Sequence, residues 1–211
     1  MSGSWSTWVQ GQPVARLEAL ADGVFVIAMT LLVLELAVPD VTGSELAANL
    51  TALWPKILVY MISFVVLGVY WMGHHYMFRV IRRSNLTLMW LNVLYLMGVA
   101  IVPFAAALLG TYPRMQVAVV VYGAVLALAA LVAYAMWRYA TDGHRLVAPD
   151  TNPDLIRYVR HRIAAGPVVS GLAIGISFVS PEASILLYAL LPPFYILSTR
   201  VDRFLESPPT S

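Results

Sequence analysis

Arg16-Leu-Glu-Ala-Leu20-Ala21-Asp22-Gly23-Val-Phe-Val-Ile27-Ala-Met-Thr30-Leu31-Leu-Val-Leu34 is the stretch whose reading decides the fold. It opens with charge and then runs apolar, as part of a span at 17–38 long enough to cross the ~30 Å hydrocarbon core as a helix of ~20 residues. At 100° per residue, Gly23, Ile27, Thr30 and Leu34 fall on one narrow stripe with Leu31 beside it. Their i, i+4, i+7, i+11 spacing is also that of a coiled-coil seam. From periodicity alone this stripe reads as a helix-packing face, with Thr30 its single polar member.

Five more such stretches follow, at 53–73, 86–109, 115–139, 163–179 and 183–198. Pro39-Asp40 through Gly43-Ser44, Thr111-Tyr112-Pro113 and Ser180-Pro181-Glu182 separate neighbours by tight turns, and a long polar loop is expected over 141–162. The composition agrees. Of 211 residues 60% are hydrophobic and only 11% charged, against about 25% charged in a soluble domain. The mean hydropathy is +0.78. Disordered, collagenous, coiled-coil and, with no cysteine, disulfide-framework classes are excluded. The expected fold is an all-α integral membrane protein of six transmembrane helices, with 1–211 as one domain. The first span is read as a helix rather than a cleaved signal peptide, because no basic residue precedes Arg16 and the stretch contains Asp22 and Glu35.

Arg and Lys in short loops set the orientation. With six spans, Arg16, Arg79, Arg82, Arg83, Arg138, Arg145, Arg157, Arg160, Arg162, Arg200 and Arg203 share one side, and Lys56 and Arg114 the other. Both termini are therefore expected in the cytoplasm. Glu35, Asp40, Glu45 and Glu182 lie toward the outer side, where they would attract cations or simply be solvated. A net charge of +2 is no basic patch, and no nucleic-acid partner is expected.

Ionisable groups inside spans are functional suspects because hydrocarbon makes them costly. Arg16 and Asp22 are six residues apart, too far for an i,i+4 pair, so Asp22 needs a partner on another helix. His74 or His75 and Asn92 are the candidates, and Trp71 can donate through its indole nitrogen. A structural clamp between helices explains these residues as well as a ligand site does. Two adjacent histidines without cysteine do not make a closed zinc site, and no metal or cofactor is expected. Gly166, Gly171 and Gly175 give a close helix-packing signal in the fifth span, and Pro192-Pro193 should kink the sixth. No cysteine nucleophile, metal-binding helix motif or spaced acid pair suggests an enzyme.

The run from Arg16 through Leu20-Ala21-Asp22-Gly23 to Ile27 and Thr30 resembles the first-helix signature R-x-x-x-F-S-D-G of the transmembrane protein 175 family of potassium channels. Here the signature's phenylalanine and serine are Leu20 and Ala21. Tyr70-Trp71-x-x-His74-His75-x-x-Phe78-x-x-Ile81-Arg82-Arg83 is similar to the family's second-helix end. Leu88-x-Trp90-Leu91-Asn92 and Val102-Pro103-Phe104 are similar to its third helix. One six-helix repeat resembles the prokaryotic members, which assemble as homotetramers in the plasma membrane.

The resemblance implies a central pore lined by the first helix of each subunit and no TVGYG filter. Its constriction lies at Ile27, with Thr30, Leu31 and Leu34 lining the next turns and potassium as permeant ion. It also implies that Arg16, Asp22, Trp71, His74, His75 and Asn92 form a network supporting the pore helix. The implied partners are membrane lipid, further copies of the chain and monovalent cations. The alternative function is a secondary or proton-coupled transporter, whose mark would be broken helices and a carboxylate near the bilayer midplane.

Overall fold

The computed structural model describes residues 14–39, 43 and 45–197. Helix α1 spans Ala15–Leu34, the short α2 Leu46–Ala52, and α3 Trp54–Val80 with Pro55 in its first turn. Helices α4, Leu86–Ala100, and α5, Val102–Thr111, are one apolar stretch broken at Ile101. Pro103 has no N–H to return to Val99, so the helix cannot run on unbroken. Helix α6 spans Gln116–Thr141, α7 Pro153–Ser177 and α8 Pro181–Leu197.

Four stretches among the described residues are long and apolar enough to cross a membrane: Ala15–Leu34, Trp54–Val80, Leu86–Thr111 and Gln116–His144. The expected first four spans coincide with them. Helices α7 and α8 stand where the fifth and sixth were expected. Asp154, Arg157, Arg160, His161 and Arg162 load the start of α7 with polarity, and α8 has 17 residues.

Boundaries differ from expectation for identifiable reasons. The first span stops at Leu34, four residues short, ahead of Pro39. The second continues seven residues past Gly73 to Val80, so His74 and His75 lie within α3. The expected 141–162 loop is only partly a loop. A 3-10 turn at Asp142–His144 follows α6, with Gly143 at φ 57°, a left-handed conformation glycine adopts without Cβ strain. The chain then forms an isolated antiparallel bridge between Val147 and Ile81, with the Arg82 and Arg83 N–H groups donating to the Leu146 carbonyl. Asn152 next caps α7 by accepting from the Asp154 N–H at 2.8 Å, which starts that helix ten residues before the expected span.

Helix α6 packs against α4, α5, α7 and α8, while α1 packs against α3, α4 and α5. The core between them contains Phe25, Val66, Leu67, Val99, Leu126, Met136 and Trp137. Gly166 is the glycine of α7 at a close approach, since a Cβ there would stand 3.0 Å from the Ala130 Cβ on α6. Gly171 and Gly175 face open space, so the expected packing signal in Gly171–Gly175 is not used inside this chain. Pro167 and Pro192-Pro193 lie within α7 and α8. The two helices are cross-tied nearby: Arg162 donates to the Tyr195 carbonyl at 2.6 Å, and the Tyr195 hydroxyl donates to the Arg162 carbonyl at 2.9 Å. These bonds engage carbonyls near an interrupted turn and near a helix end, where the i→i+4 ladder is incomplete.

Candidate pore face and the clamp behind it

Helix α1 has two apolar faces. Leu17, Ala21, Phe25, Ala28 and Leu32 are buried against the bundle. Ile27, Thr30, Leu31 and Leu34 point away from it, with Ile27 59% and Leu34 71% exposed. The periodicity-based assignment of that stripe to packing within the chain is therefore incorrect. Both faces repeat every three to four residues, and the bundle uses the one bearing Phe25 and the small Ala21 and Ala28. Thr30 Oγ1 donates to the carbonyls of Val26 and Ile27, both at 2.9 Å. Its proton is thus turned into the helix.

Behind the exposed stripe, α1 is tied to its neighbours by polar and aromatic contacts. Asp22 Oδ1 accepts from Trp71 Nε1 at 2.8 Å, joining α1 to α3. His75 lies one turn on from Trp71 and stacks on it, with centroids 6.1 Å apart and planes at 24°. The second tie is deeper. His74 Nε2 meets Asn92 Oδ1 at 2.8 Å, and both residues are buried. Because the amide oxygen only accepts, His74 donates from Nε2. Its ring is sandwiched between Phe78 at 4.3 Å and Tyr95 at 5.6 Å, and Phe25 of α1 approaches it at 6.3 Å. Tyr95 in turn donates to the Tyr70 carbonyl at 3.2 Å.

The six residues considered together in the sequence thus sort into a group of three, a pair and an outlier. Asp22 with Trp71 forms the group, with His75 stacked on the indole, and His74 with Asn92 forms the pair. Of the two histidines, His74 is the one hydrogen-bonded to Asn92. Arg16 is exposed at the start of α1 and makes none of these contacts. Phe25, Phe78 and Tyr95 build the cage around His74; Phe78 belongs to the second-helix motif quoted from the sequence, whereas Tyr95 was not singled out. The spacing of Tyr95 three residues after Asn92, on the same face of α4, is the signal that could have found it. No group of three or more His, Asp or Glu side chains suited to a metal is present among the described residues.

A bundle of long apolar helices tied together by buried polar contacts, with apolar side chains exposed along its helices and the α1 stripe among them, defines an integral membrane protein of the multi-span helical class. Comparison narrows the class. The family described as "Endosomal/lysosomal potassium channel TMEM175" matches residues 16–103, the part that holds the α1 stripe and both tie points. The chain is 38% identical over 185 residues to a potassium channel of Streptomyces collinus, covering 85% of this chain and 90% of that one. It is 35% identical over 188 residues to a potassium channel of Chamaesiphon minutus, covering 86% and 93%. Its fold matches the crystal structure of a lysosomal potassium-selective channel TMEM175 homolog from Chamaesiphon minutus with a TM-score of 0.78 and 33% identity, over 89% of this chain and 98% of that one. The chain belongs to the TMEM175 family.

Proposed function

We propose that this protein is a potassium-preferring cation channel of a prokaryotic plasma membrane, and not an enzyme. Residues 1–211 act as one channel domain with six membrane spans and both termini in the cytoplasm, and four copies assemble around a pore lined by α1. The family supports the activity, since relatives at 35–38% identity are named potassium channels. The observation that carries the pore assignment is the outward stripe Ile27, Thr30, Leu31 and Leu34, on a helix whose opposite face is buried and held by the Asp22–Trp71 bond.

In this reading four copies of Ile27 form an apolar collar that conducts only when wetted, and Leu31 and Leu34 extend it. The Thr30 oxygens, their protons turned back to the helix, offer lone pairs to a partly dehydrated cation. The residue network behind, Asp22, Trp71, His74, His75 and Asn92, fixes the rotation of α1 and thereby the diameter of the collar. Arg16, exposed at the head of α1, stands at the cytoplasmic mouth. On the outer side Arg114 and Glu182 lie 3.8 Å apart with both side chains largely exposed, a solvated pair rather than a site.

Reconstitution into liposomes tests the activity. Potassium flux that is linear in driving force and exceeds sodium flux is expected from assembled protein. Saturable flux coupled to a proton or sodium gradient would instead identify a secondary transporter, and no flux from verified assemblies would refute the channel.

A further inference from the structure

Lys56 carries its charge at the unfavourable end of its own helix. It is in the first turn of α3, where unpaired N–H groups make the helix end positive and disfavour a cation. The reason for a lysine there has to come from outside α3. Lys56 and Arg114 are also the two cations expected on the outer side, and Arg114 lies 3.8 Å from Glu182.

What Lys56 meets is the far end of the pore helix. Lys56 and Glu35 line one small cavity of about 10 Å³ between α1, α3 and α5, together with Leu32, Tyr60, Gly110 and Thr111. Glu35 caps the C-terminus of α1, and Thr111 is the last residue of α5. Two helix ends with partial negative charge therefore converge on this point. Neither helix has a basic residue in its own last turn, and α3 has no acidic residue in its first. The cation that both C-termini lack stands on α3 instead. Its stem is closely packed: a Cβ at Gly110 would lie 3.3 Å from the Lys56 Cα and 3.4 Å from its Cγ. Glu35 follows the buried Ala28 by seven residues and so turns toward the bundle, whereas Leu34 follows the exposed Ile27 by seven and stays outward. Glu35 and Lys56 are not in direct ion contact, and the cavity they share is of the size that one bridging water fills.

We propose that Lys56 is a positioning residue for the pore. Its ammonium fastens the outer end of α1 through Glu35 and the two helix C-termini, as Trp71 fastens the other half of α1 through Asp22. Leu34, next to Glu35, is thereby held in place on the outward stripe. An exposed ion pair alone contributes little. Here the lysine is half-buried, its stem lies against α5, and its charge meets two helix ends as well as a carboxylate. The consequence for conduction rests on the pore assignment proposed above.

The chain contains no cysteine, so a nitroxide on Val33→Cys, in the last turn of α1 and 48% exposed in wild type, reports the mobility of that end by its spin-resonance line shape. Lys56→Met keeps the stem and removes the charge, and should shorten the label's rotational correlation time severalfold. Glu35→Gln should have a smaller effect of the same sign, and none when added to Lys56→Met. Lys56→Arg should keep the wild-type spectrum. An unchanged label in Lys56→Met, or effects of the two substitutions that simply add, would overturn the tie. If Lys56→Met does not fold, an unchanged label in the exposed Glu35→Gln overturns it equally. In single-channel recordings Lys56→Met should shorten potassium openings severalfold, and Lys56→Arg should preserve them. A mobilised label with unaltered openings would overturn the role in the pore. A wild type that does not conduct refutes the channel, and the label still decides the tie.

Discussion

The indole N–H of Trp71 donates to the Asp22 carboxylate at 2.8 Å, three residues before the position on the same helix where His74 meets Asn92, also at 2.8 Å. Helix α3 is therefore the post to which two neighbours are fastened, α1 through Trp71 and α4 through His74. The two ties differ in setting. Trp71 is 41% exposed, whereas His74 is buried inside an aromatic cage. In lipid there is little hydrophobic drive between helices, so such bonds and close packing set which faces meet. In the bundle they hold, Phe25 of α1 is inward and Ile27 outward.

The Asp22–Trp71 tie should appear as a coupling energy. In a double-mutant cycle of Asp22→Ala and Trp71→Phe, we expect about 0.6–1.7 kcal/mol of coupling, the range of interhelical bonds in lipid. Reversible unfolding in mixed micelles measures it. Additive losses would mean that the bond does not fasten α1.

The buried tie should be less tolerant of losing one partner. Asn92→Leu leaves the His74 N–H without an acceptor inside a ring stack, at a cost of about 1–3 kcal/mol. His75→Ala removes only an outer stacking contact and should leave the thermal midpoint nearly unchanged. A midpoint that falls equally in both variants would show that His74 and Asn92 have no special part in the clamp.

Hydropathy placed the first four spans because lipid imposes it, and the motifs named both members of each tie. Rotation was the illegible part. Leu17, Ala21, Phe25, Ala28 and Leu32 repeat along α1 as regularly as Ile27, Leu31 and Leu34, so a pattern of apolar residues cannot tell bundle from exterior. What separates the faces is shape: Ala21 and Ala28 let neighbouring helices approach around Phe25. The length of α3 was hidden for a different reason. His74, His75 and Arg79 lower the hydropathy after Gly73 without disfavouring helix, so an apolar run ended where the helix did not.

The two faces of α1 predict opposite outcomes for the same chemical change. Ile27→Asn on the outward face should wet the collar and raise potassium conductance severalfold in liposomes, with assembly intact. Leu32→Asn on the buried face places an amide in a site 1% exposed, and should lower the yield of folded protein instead. Unchanged current in Ile27→Asn would remove this residue as the constriction.

The packing of α6 against α8 can be tested at Gly123. A methyl group built there overlaps the Tyr188 hydroxyl and stands 2.8 Å from Ile174 Cγ1. That hydroxyl donates to the Val119 carbonyl at 3.3 Å, and the Tyr188 ring meets Tyr122 edge-on at 5.1 Å, so it has little freedom to withdraw. Two effects oppose each other in Gly123→Ala. Alanine favours the helix by about 1 kcal/mol over glycine, while overpacking a filled site costs about 1–3 kcal/mol. With a hydroxyl in the way the second should win, and the thermal midpoint should fall. Removing the obstacle tests the cause: in a Tyr188→Phe background the same Gly123→Ala change should cost less, because the overlap with the hydroxyl is gone and the closer approaches left are Ile174 Cγ1 at 2.8 Å and the ring carbon Cζ at 3.1 Å. An equal loss in both backgrounds would show that the strain lies elsewhere than at the Tyr188 hydroxyl.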